Sequence, residues 1–147
     1  MPSVDVEVLI QAPLQEVWRT LNDVASYPQF MDNVRVVEVQ PGSTAVERVS
    51  SWSVILKGSI LEWTEREKVD SERHVITFEQ IDGDLDYFAG SWSLEQRGDK
   101  IVASRLVVDF DIGIPLLAEM LNPVASRALA DNSEQMLREI ERRVTDT

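Results

Sequence analysis

The chain has 147 residues, with 26 acids against 14 Lys plus Arg and a formal charge of −12. That length fits one domain, expected here to span residues 1–147, and 44% apolar residues with four Trp supply a core. The acidic balance, with no basic run, argues against binding to phosphate backbones, so no nucleic-acid partner is expected. The absence of cysteine removes disulfides, thiolate metal sites and cysteine nucleophiles, and a lone His74 excludes a two-histidine metal site. No metal or cofactor is expected.

Met1 to Ile10 carries two acids and no basic stretch, unlike a signal peptide, and no apolar run reaches the ~20 residues of a membrane span. A cytoplasmic protein, monomer or homodimer, is expected. In that first segment Val4, Val6, Val8 and Ile10 alternate with Asp5, Glu7 and Leu9, the pattern of a strand with one buried face. Ala12-Pro13 opens a helix with Pro at its first position, and Val17, Trp18 and Leu21 form its buried stripe. Asn22-Asp23 ends it and caps a second short helix, interrupted by Pro28 near Tyr27, Phe30 and Met31.

From Val34 to Ile112 strands alternate with turns at Pro41-Gly42-Ser43, Lys57-Gly58, Asp70-Ser71, Asp82-Gly83-Asp84 and Gly98-Asp99. The spacing, with segments such as Ala45–Leu56 and Ile101–Ile112, predicts consecutive antiparallel hairpins. Pro115 to about Val144 is predicted helical, with Leu117, Met120, Leu121, Val124, Ala128, Met136 and Ile140 on one stripe. Pro123 is expected to kink or split it. The order is β-αα-β(six)-α: an α+β domain with a curved antiparallel sheet of about seven strands around a long C-terminal helix.

This pattern resembles the helix-grip fold of the START/Bet v 1-like (SRPBCC) superfamily, and within it the polyketide cyclase/dehydrase branch with its aromatase/cyclases. The carriers are Ala12-Pro13, Val17-Trp18, Asn22-Asp23, Tyr27-Pro28, Glu62-Trp63, Gly83, Tyr87, Trp92, Phe110-Asp111 and Asn132, in order over most of the chain. The resemblance implies a cavity between sheet and C-terminal helix for apolar or aromatic molecules, with Tyr27, Met31, Trp63, Trp92 and Asn132 on its wall. Where the aromatase/cyclases carry substrate-anchoring arginines on neighbouring strands, this chain has Glu67 and Glu79, and Val34 stands where they have a tyrosine.

Taken as a strand, Leu61, Trp63, Glu65 and Glu67 share one face, and the two apolar members mark it as inward. Two inward carboxylates have raised, coupled pKa values and suit general acid and base roles. The alternative is a strand that leaves the core after Trp63, since charged side chains are rarely buried unpaired. Arg48, on the preceding strand, is a partner for one of them. Residues 73–82 alternate poorly, and only the resemblance points Glu79 inward.

The aromatics Trp18, Trp52, Trp63, Trp92, Phe30, Tyr87 and Phe88 either line a cavity or fill the core. Asn132 shares its helix face with Ala128 and Met136, so its amide meets either a backbone group or a ligand. His74 is read as solvated near a turn, and the Glu139–Arg143 run as a solvated helix end. Asp82-Gly83-Asp84-Leu85-Asp86 lacks the Gly and Glu that a calcium loop needs, and reads as a hairpin turn. The preferred function is binding of a hydrophobic or aromatic small molecule, polyketide- or lipid-like, in an internal cavity. The alternative is a polyketide cyclase/aromatase or dehydratase using Glu65 or Glu67 as acid/base. An interaction module is the least favoured, because the outward residues are mostly polar.

Overall fold

Alternation of apolar and charged residues builds the first strand, β1 (Ser3–Ile10), whose Val4, Val8 and Ile10 are buried. The computed structural model describes residues 1–113 and 118–145, the side chains of 118–120 excepted. Helix α1 (Leu14–Asn22) follows and buries Val17, Trp18 and Leu21. Pro13 stands just before it rather than in its first turn, and its carbonyl accepts from the Glu16 and Val17 amides. The second short helix is a 3₁₀ segment, Val24–Gln29, with Pro28 inside and Tyr27 fully buried. Such short 3₁₀ pieces tolerate a proline that a longer α-helix would not.

Six strands follow: β2 (Val34–Val39), β3 (Glu47–Leu56), β4 (Ser59–Asp70), β5 (Val75–Gly83), β6 (Tyr87–Gly98) and β7 (Ile101–Asp111). With β1 they form one antiparallel sheet in the order β1-β7-β6-β5-β4-β3-β2. Lys57 and Gly58 both have positive φ, 50° and 81°, and close β3 to β4 as a two-residue hairpin loop. That turn sets the register: Val54 faces Leu61, Trp52 faces Trp63, Ser50 faces Glu65, and Arg48 faces Glu67.

The long helix α2 (Ala118–Thr145) lies against β1 and α1 and closes the concave side of the sheet. This is the helix-grip arrangement expected from the sequence. Pro123 does not split α2, because it lies in the helix's first described turns on an exposed side, where one missing N–H costs little. Val124 is exposed rather than on the buried stripe; Ala128, Leu129, Met136, Leu137 and Ile140 form the inward face. Pro115 and Leu117, and the side chain of Met120, lie outside the described residues.

Two glycines let strands approach closely. A Cβ on Gly83 would lie 2.5 Å from that of Trp63, and one on Gly90 would lie 1.9 Å from the Val107 carbonyl oxygen. Gly90→Ala is therefore expected to lose about 1–3 kcal/mol in urea unfolding. Gly98→Ala, whose nearest contact would be an ordinary 3.5 Å, is the control. Equal effects in the two variants would contradict this packing.

Candidate functional site

The strand β4 keeps its alternation through Thr64–Lys68, so Trp63, Glu65 and Glu67 all face the interior despite a register shift against β5 at Thr64/Glu65. Glu65 and Glu67 are 2% and 1% exposed. The alternative, in which the strand leaves the core after Trp63, does not hold. Charge at this depth is tolerated only with partners, and the register of β3 delivers them. Arg48 Nε donates to Glu67 Oε1 at 2.6 Å and Ser50 Oγ donates to Glu67 Oε2 at 2.7 Å. Ser50 Oγ in turn accepts from Trp52 Nε1 at 2.8 Å. The other arm of Arg48, Nη1, donates to the Asn22 carbonyl and to Asn22 Oδ1 at 2.9 and 3.0 Å, tying the end of α1 to the sheet.

Glu65 has no cation of its own. It accepts from Trp63 Nε1 at 2.6 Å. Burial holds its carboxyl well above the ordinary value of 4.5, and the hydrogen bond and negative charge of Glu67 push it the same way. Burial and the neighbouring Glu67 thus both favour the protonated form of Glu65, beside an ion-paired Glu67.

In front of Glu65 lies a cavity of about 40 Å³ between the sheet and α2. Trp52 and Trp63 stack in parallel at 5.6 Å, Phe88 leans on Trp63 at 4.9 Å, and Trp92 completes the aromatic wall. Leu129, Asn132, Ser133 and Met136 face them from α2. Asn132 Nδ2 lies 3.6 Å from Met136 Sδ, while its Oδ1 is buried without a partner among the described residues.

Of the residues expected at the site, Trp63, Glu65, Trp92 and Asn132 line this cavity. Glu67 sits behind Glu65, outside the lining. Tyr27 backs the wall: its ring meets Trp52 and Trp92 edge-on, and its hydroxyl donates to the Leu21 carbonyl. Burial foremost, with the nearby Glu67 charge, raises its pKa well above 10.0, so it stays a neutral phenol. Met31 is buried in the core and does not line the cavity.

Glu79 is a correction. It lies on the exposed outer face opposite Arg66, because Ile76 and Phe78 take the inward positions of β5. The inward neighbour is Gln80, whose Nε2 donates to the Leu85 carbonyl at 2.7 Å.

Sequence reasoning missed Ser50 as the second anchor of Glu67; the Lys57-Gly58 turn, extended as a register, puts Ser50 opposite Glu65 and only diagonal to Glu67. Glu139 also departs from its expectation as part of a solvated helix end. It is 5% exposed, accepts from the Asp32 amide at 3.1 Å, and burial raises its pKa. His74 is half-buried, with its ring edge-on to Trp18 at 5.3 Å rather than fully solvated.

Residues 10–137 match the family model described as polyketide cyclase/dehydrase and lipid transport. The chain belongs to this family. A protein of Thermus thermophilus is similar in structure, with TM-score 0.89 and 26% identity over 98% of this chain and 97% of that one. An aromatase/cyclase from a Streptomyces species has TM-score 0.81 and 26% identity over 97% and 95%. A START superfamily protein from Mycobacterium smegmatis shares the fold, with TM-score 0.82 at 15% identity over 97% of each chain. No curated protein matches the sequence.

The raised pKa of Glu65 carries a stability consequence. The folded state holds a proton that the unfolded chain releases above about 4.5, so stability falls as pH rises from there towards the folded value. Glu65→Gln keeps a neutral side chain that accepts from Trp63 and donates to Glu67. Its stability relative to the parent is therefore expected to increase as pH rises above the ordinary glutamate value, read by urea unfolding across pH. A stability difference that does not change with pH would show that Glu65 is not held protonated.

Proposed function

We propose that this protein binds a hydrophobic or aromatic small molecule, polyketide- or lipid-like, between the sheet and α2. The observation that carries this reading is the cavity wall: stacked Trp52 and Trp63, tilted Phe88 and buried Trp92 face α2 across a space with a single carboxyl on its rim. Family membership supports it. At about 40 Å³ the cavity is far below the roughly 300–1,000 Å³ of occupied ligand sites, so the ligand enters by parting α2 from the strands. The materials for that movement are at hand. Met136 adapts its shape readily, Trp63 and Leu61 are only half-buried, and an exposed ion pair, Lys57–Asp131 at 3.0 Å, joins the β3–β4 tip to α2.

The neutral fluorescent probe N-phenyl-1-naphthylamine tests the reading. Trp63→Ala is expected to weaken its binding about tenfold or more, the loss of one buried aromatic contact. Unchanged affinity would remove Trp63 from the site.

A second reading rests on Glu65. A carboxyl kept protonated at the wall of an apolar cavity is suited to general acid catalysis, giving its proton to a carbonyl or departing hydroxyl in a cyclase/aromatase or dehydratase reaction. Glu67, held by Arg48 and Ser50 outside the lining, then acts as a positioning residue rather than the base. Under this reading Glu65→Gln abolishes turnover of an aromatic polyketide mimic and retains probe binding. Full activity in that variant would reject it.

A further inference from the structure

The polar groups around the cavity are one-sided. Among its described lining residues there is no Lys, Arg or His, while Glu65 is on the wall and Glu67 lies directly behind it. Arg48 lies outside that lining, held through Nε by Glu67 and through Nη1 by both oxygens of Asn22, with Nη2 buried and without a partner among the described residues. An arriving anion therefore gives up its water and meets Glu65, backed by the charge of Glu67, with no cation among the described lining residues, which is unfavourable.

On the opposite wall Asn132 presents a group of defined polarity. A thioether sulfur has lone pairs and no proton, so the contact with Met136 Sδ takes the NH₂ side of the amide. That leaves Oδ1, buried and without a partner among the described residues, as the free acceptor of a side chain that lines the cavity. A buried acceptor without a donor is destabilising, and a ligand N–H or O–H removes that penalty.

We infer that the ligand is an uncharged aromatic molecule that donates one hydrogen bond to Asn132 Oδ1, and that carboxylate-bearing molecules are excluded. Asn132 is then the specificity-determining residue, and the inference rests on the ligand-binding reading above. The aromatic wall supplies contact area without regard to donors or acceptors, so selectivity falls to the few polar groups, among which Asn132 Oδ1 is the buried acceptor left without a partner. A ligand of the same shape without a donor would leave Oδ1 as it is in the empty cavity.

Three bicyclic probes of similar shape, measured by isothermal titration calorimetry at neutral pH, separate the possibilities. Indole carries one N–H, benzofuran has an oxygen in its place, and indole-3-carboxylate adds a negative charge. Indole is expected to bind about tenfold more tightly than either of the others. In Asn132→Leu the preference for indole over benzofuran should fall to near one, with benzofuran still bound. Because benzofuran is the more apolar of the pair, apolar burial alone would favour it, so the comparison is stringent. A preference for indole below about threefold, or indole-3-carboxylate bound as tightly as indole, overturns the inference while leaving the ligand-binding reading in place. Failure of all three to bind overturns that reading and this inference with it. Should Asn132→Leu fail to fold by circular dichroism, the comparison on the unaltered protein decides alone.

Discussion

A carboxylate with 1% exposure is tolerable in this core only because Arg48 and Ser50 reach it from the neighbouring strand. The Arg48–Glu67 pair organises much of what surrounds it. Its guanidinium ties the last turn of α1 to the sheet through Asn22, and Ser50 relays its position to the Trp52 indole. Deep burial, with the hydrogen bond and negative charge of Glu67, raises the pKa of Glu65, and Glu65 in turn fixes the Trp63 indole. Two stacked tryptophans are thus held at their N–H ends by one polar network. Such a network stabilises the fold only while complete, since removing one partner strands a charge in the interior.

The site's chemistry follows from that arrangement. The Trp52 and Trp63 indoles are held at their N–H ends, and the aromatic wall lines the space towards α2. The opposing helix contributes Leu129, Met136, the Asn132 amide and Ser133, which with Glu65 gives the space largely apolar walls with three polar points. The family it belongs to is described as polyketide cyclase/dehydrase and lipid transport, and membership does not choose between the two. The choice lies with whether the neutral Glu65 merely borders a ligand or passes it a proton.

Much of this was legible in the sequence. Leu61 and Trp63 mark the inward row of β4, and the prediction that Glu65 and Glu67 follow them holds. Arg48 is legible as a partner because a hairpin brings it opposite. The amide of Asn132 stands out on an apolar stripe, and it lines the cavity. Other residues were not legible, for identifiable reasons. In β5, Val75 and Ile81 offer one apolar row and Ile76 and Phe78 another, so local alternation cannot choose; packing against Phe88 does, at 5.6 Å from Phe78, and Glu79 turns outward. Glu139 is covered by the Asp32 segment, more than one hundred residues away in sequence, a contact no helical periodicity reveals. Val124 belongs to the apolar stripe by spacing, yet that part of α2 turns it to solvent.

The most direct test is a pH titration of side-chain carboxyls by ¹³C NMR on glutamate-labelled protein, with Glu65→Gln to assign the signal. The account predicts one glutamate resonance, absent from Glu65→Gln, that titrates well above the exposed glutamates. A Glu65 signal that titrates together with the exposed glutamates would contradict it, leaving no neutral carboxyl on the cavity wall.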